Sequence, residues 1–168
     1  IEEIVIIWIT WCLSEVVLEI IKPVAGIISG AGRRFDPQFL VGVIQETKGT
    51  EKAYAEFLLE ELEARGSLPQ SYPVPVQAVR FGDSLTMVAI GGEVTVEYSL
   101  RLKKELGEIT GAPVWVAGYS NDYFGYIPSD RVLKEGGYEG LTSMYYSRST
   151  VHSSPWAVGI EETLVGKA

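Results

Sequence analysis

A chain of 168 residues, 46% hydrophobic and 21% charged, has the length and composition of one globular domain with a real core and is not a disordered segment. Its formal net charge of −8 argues against a nucleic-acid partner, because phosphate binding calls for a basic face. The single cysteine, Cys12, excludes an internal disulfide and any cysteine-built zinc site, and within its apolar run it reads as buried filler.

The chain opens on Ile1 and not on Met, from which a start inside a longer protein, or after processing, is expected. Its first stretch, "IEEIVIIWITWCLSEVVLEIIKPVAGIISG", is the most apolar part. Glu2, Glu3, Glu15, Glu19 and Lys22 interrupt it, so it falls short of the roughly 20 apolar residues of a membrane span. Its acidic beginning is unlike the basic start of a signal peptide. Ile4 to Ile21 predicts a buried strand or helix, with the type left open because periodicity cannot separate the two in such a run. Gly26 to Asp36 reads as a flexible connection with a basic pair at Arg33 and Arg34; its Gly-x-Gly lacks the spacing and the Lys-Ser or Lys-Thr of a phosphate loop. Residues 1–34 are therefore an unassigned apolar segment and loop.

Thr50 to Arg65 predicts a helix, capped by Thr50, with Ala53, Phe57, Leu58 and Leu62 on one stripe and Gly66 ending it. "SLPQSYPVPV" runs extended, since each proline disfavours helix in the residue before it. Val76–Phe81 and Leu85–Ile90 predict a β-hairpin about Gly82 and Asp83, the second strand apolar enough to be central. Gly91 and Gly92 break that strand. "EVTVEYSLRLKKELG" predicts a helix closed by Gly107 with Val94, Tyr98, Leu102 and Leu106 on one face, and "PVWVAGYS" a further buried strand. A short helix from Ser129 or Asp130 to about Glu135, a strand-like "SMYYSRS" and a last helix after Pro155 complete the reading. Tyr98, Trp115 and Trp156 are expected in the core. The order predicts an α/β fold, with mixed β-sheets packed against helices.

Two strand ends carry unusual residues, and the carboxyl ends of strands are the usual ligand edge of such a sheet. After the first, "AIGGEVTVEY" places Glu93 at the first turn of a helix, where the helix dipole alone favours an acidic group. After the second, "VAGYSNDYFGYIPSD" sets three tyrosines among turn residues. Turn chemistry accounts for Asn121, Asp122, Gly125 and Pro128, but not for the tyrosines. Tyr123 and Tyr126 on their own would pass as packing with satisfied hydroxyls. A carboxylate and phenols brought together at adjoining strand ends can instead grip a hard or borderline cation, or act in acid–base work. A phosphate site at Gly91-Gly92 is disfavoured, because Glu93 would repel the anion.

"FGDSLTMVAIGGEVTVEYSLRLKKEL", followed by "VWVAGYSNDYFGYIPSDRVLKEGGYEG", resembles the neutral/alkaline non-lysosomal ceramidase family, most closely its bacterial ceramidase-like proteins. The likeness runs from about Leu58 to Glu139, and more loosely to the C-terminus. It implies that residues 35–168 are the C-terminal part of a larger layered αββα-type catalytic domain. It also implies a zinc-dependent amidohydrolase that cleaves the N-acyl amide of ceramide-like lipids to a sphingoid base and a fatty acid. The family's zinc is held by two histidines, a glutamate and a tyrosine. By resemblance the glutamate falls on Glu93 and the tyrosine on Tyr126, while Tyr138 of "GGYEG" falls on a tyrosine that helps bind the substrate carbonyl. The family's histidine ligands, its serine and its substrate arginine have no counterpart in this sequence. His152 matches no ligand position and reads as a surface or packing residue. The upstream half of the domain is thus an expected partner, together with the lipid and a membrane surface, and a secreted, periplasmic or membrane-associated setting is expected from the family. The other reading is a non-catalytic binding or structural module that keeps the fold without a complete metal site.

Overall fold

The computed structural model describes residues 14–19, 36–68, 71–146, 156, 158–166 and 168. Of the long apolar opening it describes the strand β1, Ser14–Glu19; the rest of Ile4 to Ile21, with Cys12, Arg33, Arg34 and His152, lies outside the described residues.

Asp36 opens the first helix, α1 (Pro37–Glu46). Its carboxylate accepts from the Phe39 N–H at 2.7 Å, and Pro37 occupies the first turn, where a missing N–H costs nothing. This helix was not foreseen, although Asp-Pro is its standard opening. Next comes α2 (Gly49–Arg65), ended as expected by Gly66 in the left-handed region at φ 75°. Its start differs from expectation: Gly49, at φ 65°, turns the chain into the helix before Thr50, and the N-cap residue Lys48 supplies no side-chain bond. Leu40, Tyr54, Ala55, Leu58 and Leu68 form a core of their own, packed by Phe39, Phe57 and Leu62.

The strand β2 (Ser71–Phe81) takes in the proline-rich stretch and turns at Gly82 (φ 53°) into β3 (Leu85–Ile90). A two-residue strand, β4 (Glu93–Val94), precedes α3 (Val96–Thr110), which leads to β5 (Val114–Ala117). The main sheet has the order β1-β2-β3-β5, antiparallel except for the parallel β3/β5 pair, so β3 is central as its apolar sequence required. A second short strand, β6 (Tyr126–Ile127), pairs parallel with β4 in a separate two-stranded sheet. Then follow α4 (Asp130–Glu135), capped by the Ser129 hydroxyl, α5 (Gly137–Gly140), a 3₁₀ turn at Thr142–Tyr146 and α6 (Ile160–Val165). The fold is mixed α/β, with mixed sheets packed against helices. Its main core joins Val74, Val76, Val88 and Ile90 of the sheet to Tyr98 and Leu102 of α3, Phe124, Ile127, Trp156 and Leu164.

Three further expectations change. Helix α3 passes through Gly107 and ends at Gly111 (φ 67°): Glu108 and Ile109 carry the helix on, and the Gly111 N–H closes it on the Gly107 carbonyl at 3.0 Å. Trp115 is 57% exposed, not core. β5 is an edge strand whose Val114 and Val116 face the core, so the residue between them must face out. "SMYYSRS" is no strand in its described part: Met144 and Tyr145 are neighbours that both pack on the α1–α2 core, which strand alternation forbids and a 3₁₀ turn permits.

Candidate functional site

Because β3 and β5 run parallel with Ala89 opposite Ala117, their carboxyl ends open on one edge, as the sequence suggested. The chain leaves β3 through two glycines that nothing larger can replace. A Cβ on Gly91 would stand 2.8 Å from Pro75 Cδ; one on Gly92, which sits at φ 70°, would stand 2.8 Å from Phe124 Cζ and 2.9 Å from the Gly125 carbonyl oxygen. That close approach lets the two segments lace together through their backbones. The Gly92 N–H donates to Asp122 O (3.0 Å), Glu93 N–H to Gly125 O (2.8 Å), Tyr119 N–H to Gly92 O (2.7 Å) and Ser120 N–H to Ile90 O (3.0 Å).

Glu93 is therefore not at a helix start. Its N–H is held in the parallel β4/β6 ladder, where it lies opposite Tyr126, and α3 begins only at Val96. Thr95, the N-cap residue of α3, turns its hydroxyl outward to accept from the Ser129 N–H at 3.0 Å, tying α4 to the same edge. Trp156, beneath β6, donates its indole N–H to the Tyr126 carbonyl at 2.7 Å and meets Phe124 edge to face.

The sequence-derived residues meet at this edge. Two phenols, Tyr126 and Tyr119, lie near enough to the Glu93 carboxylate to be influenced by it. Tyr126 is pushed above the ordinary tyrosine range, first by burial and then by the neighbouring Glu93 carboxylate. Tyr119 is pushed well above it, chiefly by the neighbouring Glu93 carboxylate and secondarily by burial. Both phenols thus keep their protons at neutral pH and serve as donors, and a cation bound through the Tyr126 oxygen would have to displace that proton. Tyr138, on α5, lies edge-on to Tyr126 with ring centroids 5.6 Å apart. Tyr119 stacks on Tyr123 at 5.5 Å, and all three of Tyr119, Tyr123 and Tyr138 are about half exposed or more.

Two contributors were missed in the sequence. Tyr119 adopts φ 56°, a left-handed conformation that nothing in its residue type signals. Asp122 read as a turn residue, yet it also accepts from the Tyr72 hydroxyl of β2 at 2.8 Å. Asn121 (φ 68°) and Gly125 (φ 126°) shape the loop as their types suggested.

The donors here are oxygens. Glu93 and Tyr126, adjacent in register, suit two positions of a zinc site, whereas a catalytic zinc takes three protein ligands. Among the described residues no group of three or more His, Cys, Asp and Glu side chains is placed to hold a metal.

Fold and edge together define a mixed α/β unit that presents a carboxylate ringed by phenols at the ends of two parallel strands. Over 75 residues, 43% of the chain, it is 37% identical to the neutral ceramidase of Mycobacterium tuberculosis, and over 77 residues 34% identical to neutral ceramidase B of Dictyostelium discoideum. The match spans 12% and 11% of the length of those two relatives. Two solved structures, a ceramidase complexed with C2 and the neutral ceramidase from Pseudomonas aeruginosa, overlay 92% of the chain with a TM-score of 0.44. They do so at 17% and 16% identity and over 24% and 23% of their own length. No family model matches the chain.

Proposed function

We propose that this chain is the C-terminal part of a zinc-dependent amidohydrolase acting on the N-acyl amide of ceramide-like lipids. The observation that carries the reading is the register of Glu93 against Tyr126, formed by two segments that each resemble the same family. Zinc, when bound, would supply Lewis acidity and a water acidic enough to attack at neutral pH. Glu93 contributes the negative charge of the ligand set, and Tyr126 the phenol oxygen, once its proton is displaced. Tyr138, beside Tyr126 and half exposed, would offer its hydroxyl to the oxyanion that develops on the amide carbonyl. The remaining nitrogen ligands belong to the upstream half of the domain.

The test is zinc content and hydrolysis of an N-acyl sphingoid lipid in the full-length parent, with and without Glu93→Ala. Loss of both is expected. A variant that keeps its metal and its rate would overturn the assignment.

A further inference from the structure

We propose that the face of the main sheet turned away from α3 and α6 is the surface on which the upstream part of the same polypeptide docks. The inference rests on the reading of this chain as the C-terminal part of a larger domain, but it is tested apart from zinc and hydrolysis.

Helices α3 and α6 cover one face of that sheet, where Val76, Val88 and Val114 meet Tyr98, Leu102 and Leu164. Strand alternation sends the intervening residues to the opposite face. There the register sets Val79, Met87 and Trp115 side by side across β2, β3 and β5, with Phe81 opposite Leu85 in the next row. Among the described residues, none of these five belongs to either core. Trp115 is 57% exposed and Phe81 52%. Antiparallel strands that show one face to water place polar residues on it. These place a contiguous apolar row there instead, which marks a face built to be covered.

The occupant follows from where the face leads. Farther along the same strands and on the same face, Ala89 lies opposite Ala117, and just beyond it β3 ends in the glycine break that delivers Glu93. A body seated on the row therefore reaches the edge at which the nitrogen ligands of the proposed site must arrive. A second copy of this chain would bring another carboxylate and more phenols, but the sequence holds a single histidine, His152. A lipid surface fits poorly, since a net charge of −8 is repelled by anionic headgroups. A longer polypeptide has the material: the matched segment is 12% and 11% of the two ceramidase relatives.

The decisive measurement is photo-cross-linking in the full-length parent carrying Trp115→p-benzoylphenylalanine. Irradiation is expected to join position 115 to a peptide upstream of this chain, within one polypeptide. A cross-link back into this chain, to a second copy or to added phosphatidylserine vesicles overturns the proposal, as does none at all from a folded variant. Should the variant fail to fold, hydroxyl-radical footprinting of the unsubstituted parent decides. Trp115 and Met87 are expected to oxidise several-fold more slowly in the native parent than in urea, and comparable rates overturn the proposal. A parent that cross-links as expected yet holds no zinc would sink the zinc reading and leave the docking face standing.

Discussion

The hydroxyl of Tyr72 donates to the Asp122 carboxylate at 2.8 Å, joining β2 to a loop that lies far along the chain. The Tyr72 ring packs on Phe124 at 4.4 Å, so one side chain anchors both the polar and the apolar side of that loop. Burial first, and the bond to Asp122 second, push Tyr72 from the ordinary value of 10.0 to about 12. A folded pKa above the unfolded one means that the contribution is fully present below pH 10 and is lost as pH rises through about 12. Tyr72→Phe should therefore cost about 1.5–3 kcal/mol near neutrality, the size of a hydrogen bond to a charged acceptor. The gap from wild type should narrow above pH 10. Urea midpoints at pH 8 and pH 11.5 decide it, and a gap of equal size at both would refute the linkage.

Gly92→Ala should be among the most damaging small substitutions in the chain. It meets two obstacles at once: φ 70°, and a Cβ 2.9 Å from the Gly125 carbonyl, which is backbone and cannot swing aside. A loss of about 2–4 kcal/mol is expected from strain and overlap together. An unchanged denaturation midpoint would show that the two segments are not packed as described.

Trp156 holds β6 from below through its indole N–H and fills the core beside Phe124. Trp156→Phe should leave the Tyr126 carbonyl short of a partner, at about 1–3 kcal/mol. Trp156→Ala adds a cavity and should reach about 3–5 kcal/mol. Equal losses in the two variants would remove the hydrogen bond from the account.

Zinc titrated into the purified chain by itself should bind weakly or not at all, because Glu93 and Tyr126 fall short of the three protein ligands of a catalytic site. Calorimetry showing a stoichiometric tight site would mean that further ligands lie within this chain.

Much of this architecture could be read from residue types. Leu85–Ile90 announced a central strand by being apolar on both faces, and Gly82-Asp83 announced the turn before it. The Gly-Glu segment and the tyrosine loop were placed on adjoining strand ends, and there they lie. What escaped depended on distant partners. Glu93 looked like a helix opener because the strand it pairs with, at Tyr126–Ile127, is two residues long and carries no periodicity of its own. Trp115 looked buried because its neighbours are apolar, and its exposure follows from the edge position of β5, which local sequence does not encode. Tyr119 escaped for the same reason: its backbone conformation is imposed by bonds to Gly92 and from Ser120 to Ile90.

The β4/β6 pair is parallel, and parallel neighbours cannot be joined by a hairpin. Everything from Thr95 to Gly125, including a helix of 15 residues and the strand β5, must find its place before Glu93 and Tyr126 can meet. Such late, entropically expensive closure is slow compared with forming the β2/β3 hairpin. The chain should thus acquire its scaffold first and its chemistry last, and pulse-labelled hydrogen exchange should find the Glu93 amide protected after that of Val88. Protection in the reverse order would show that the edge assembles without the crossover.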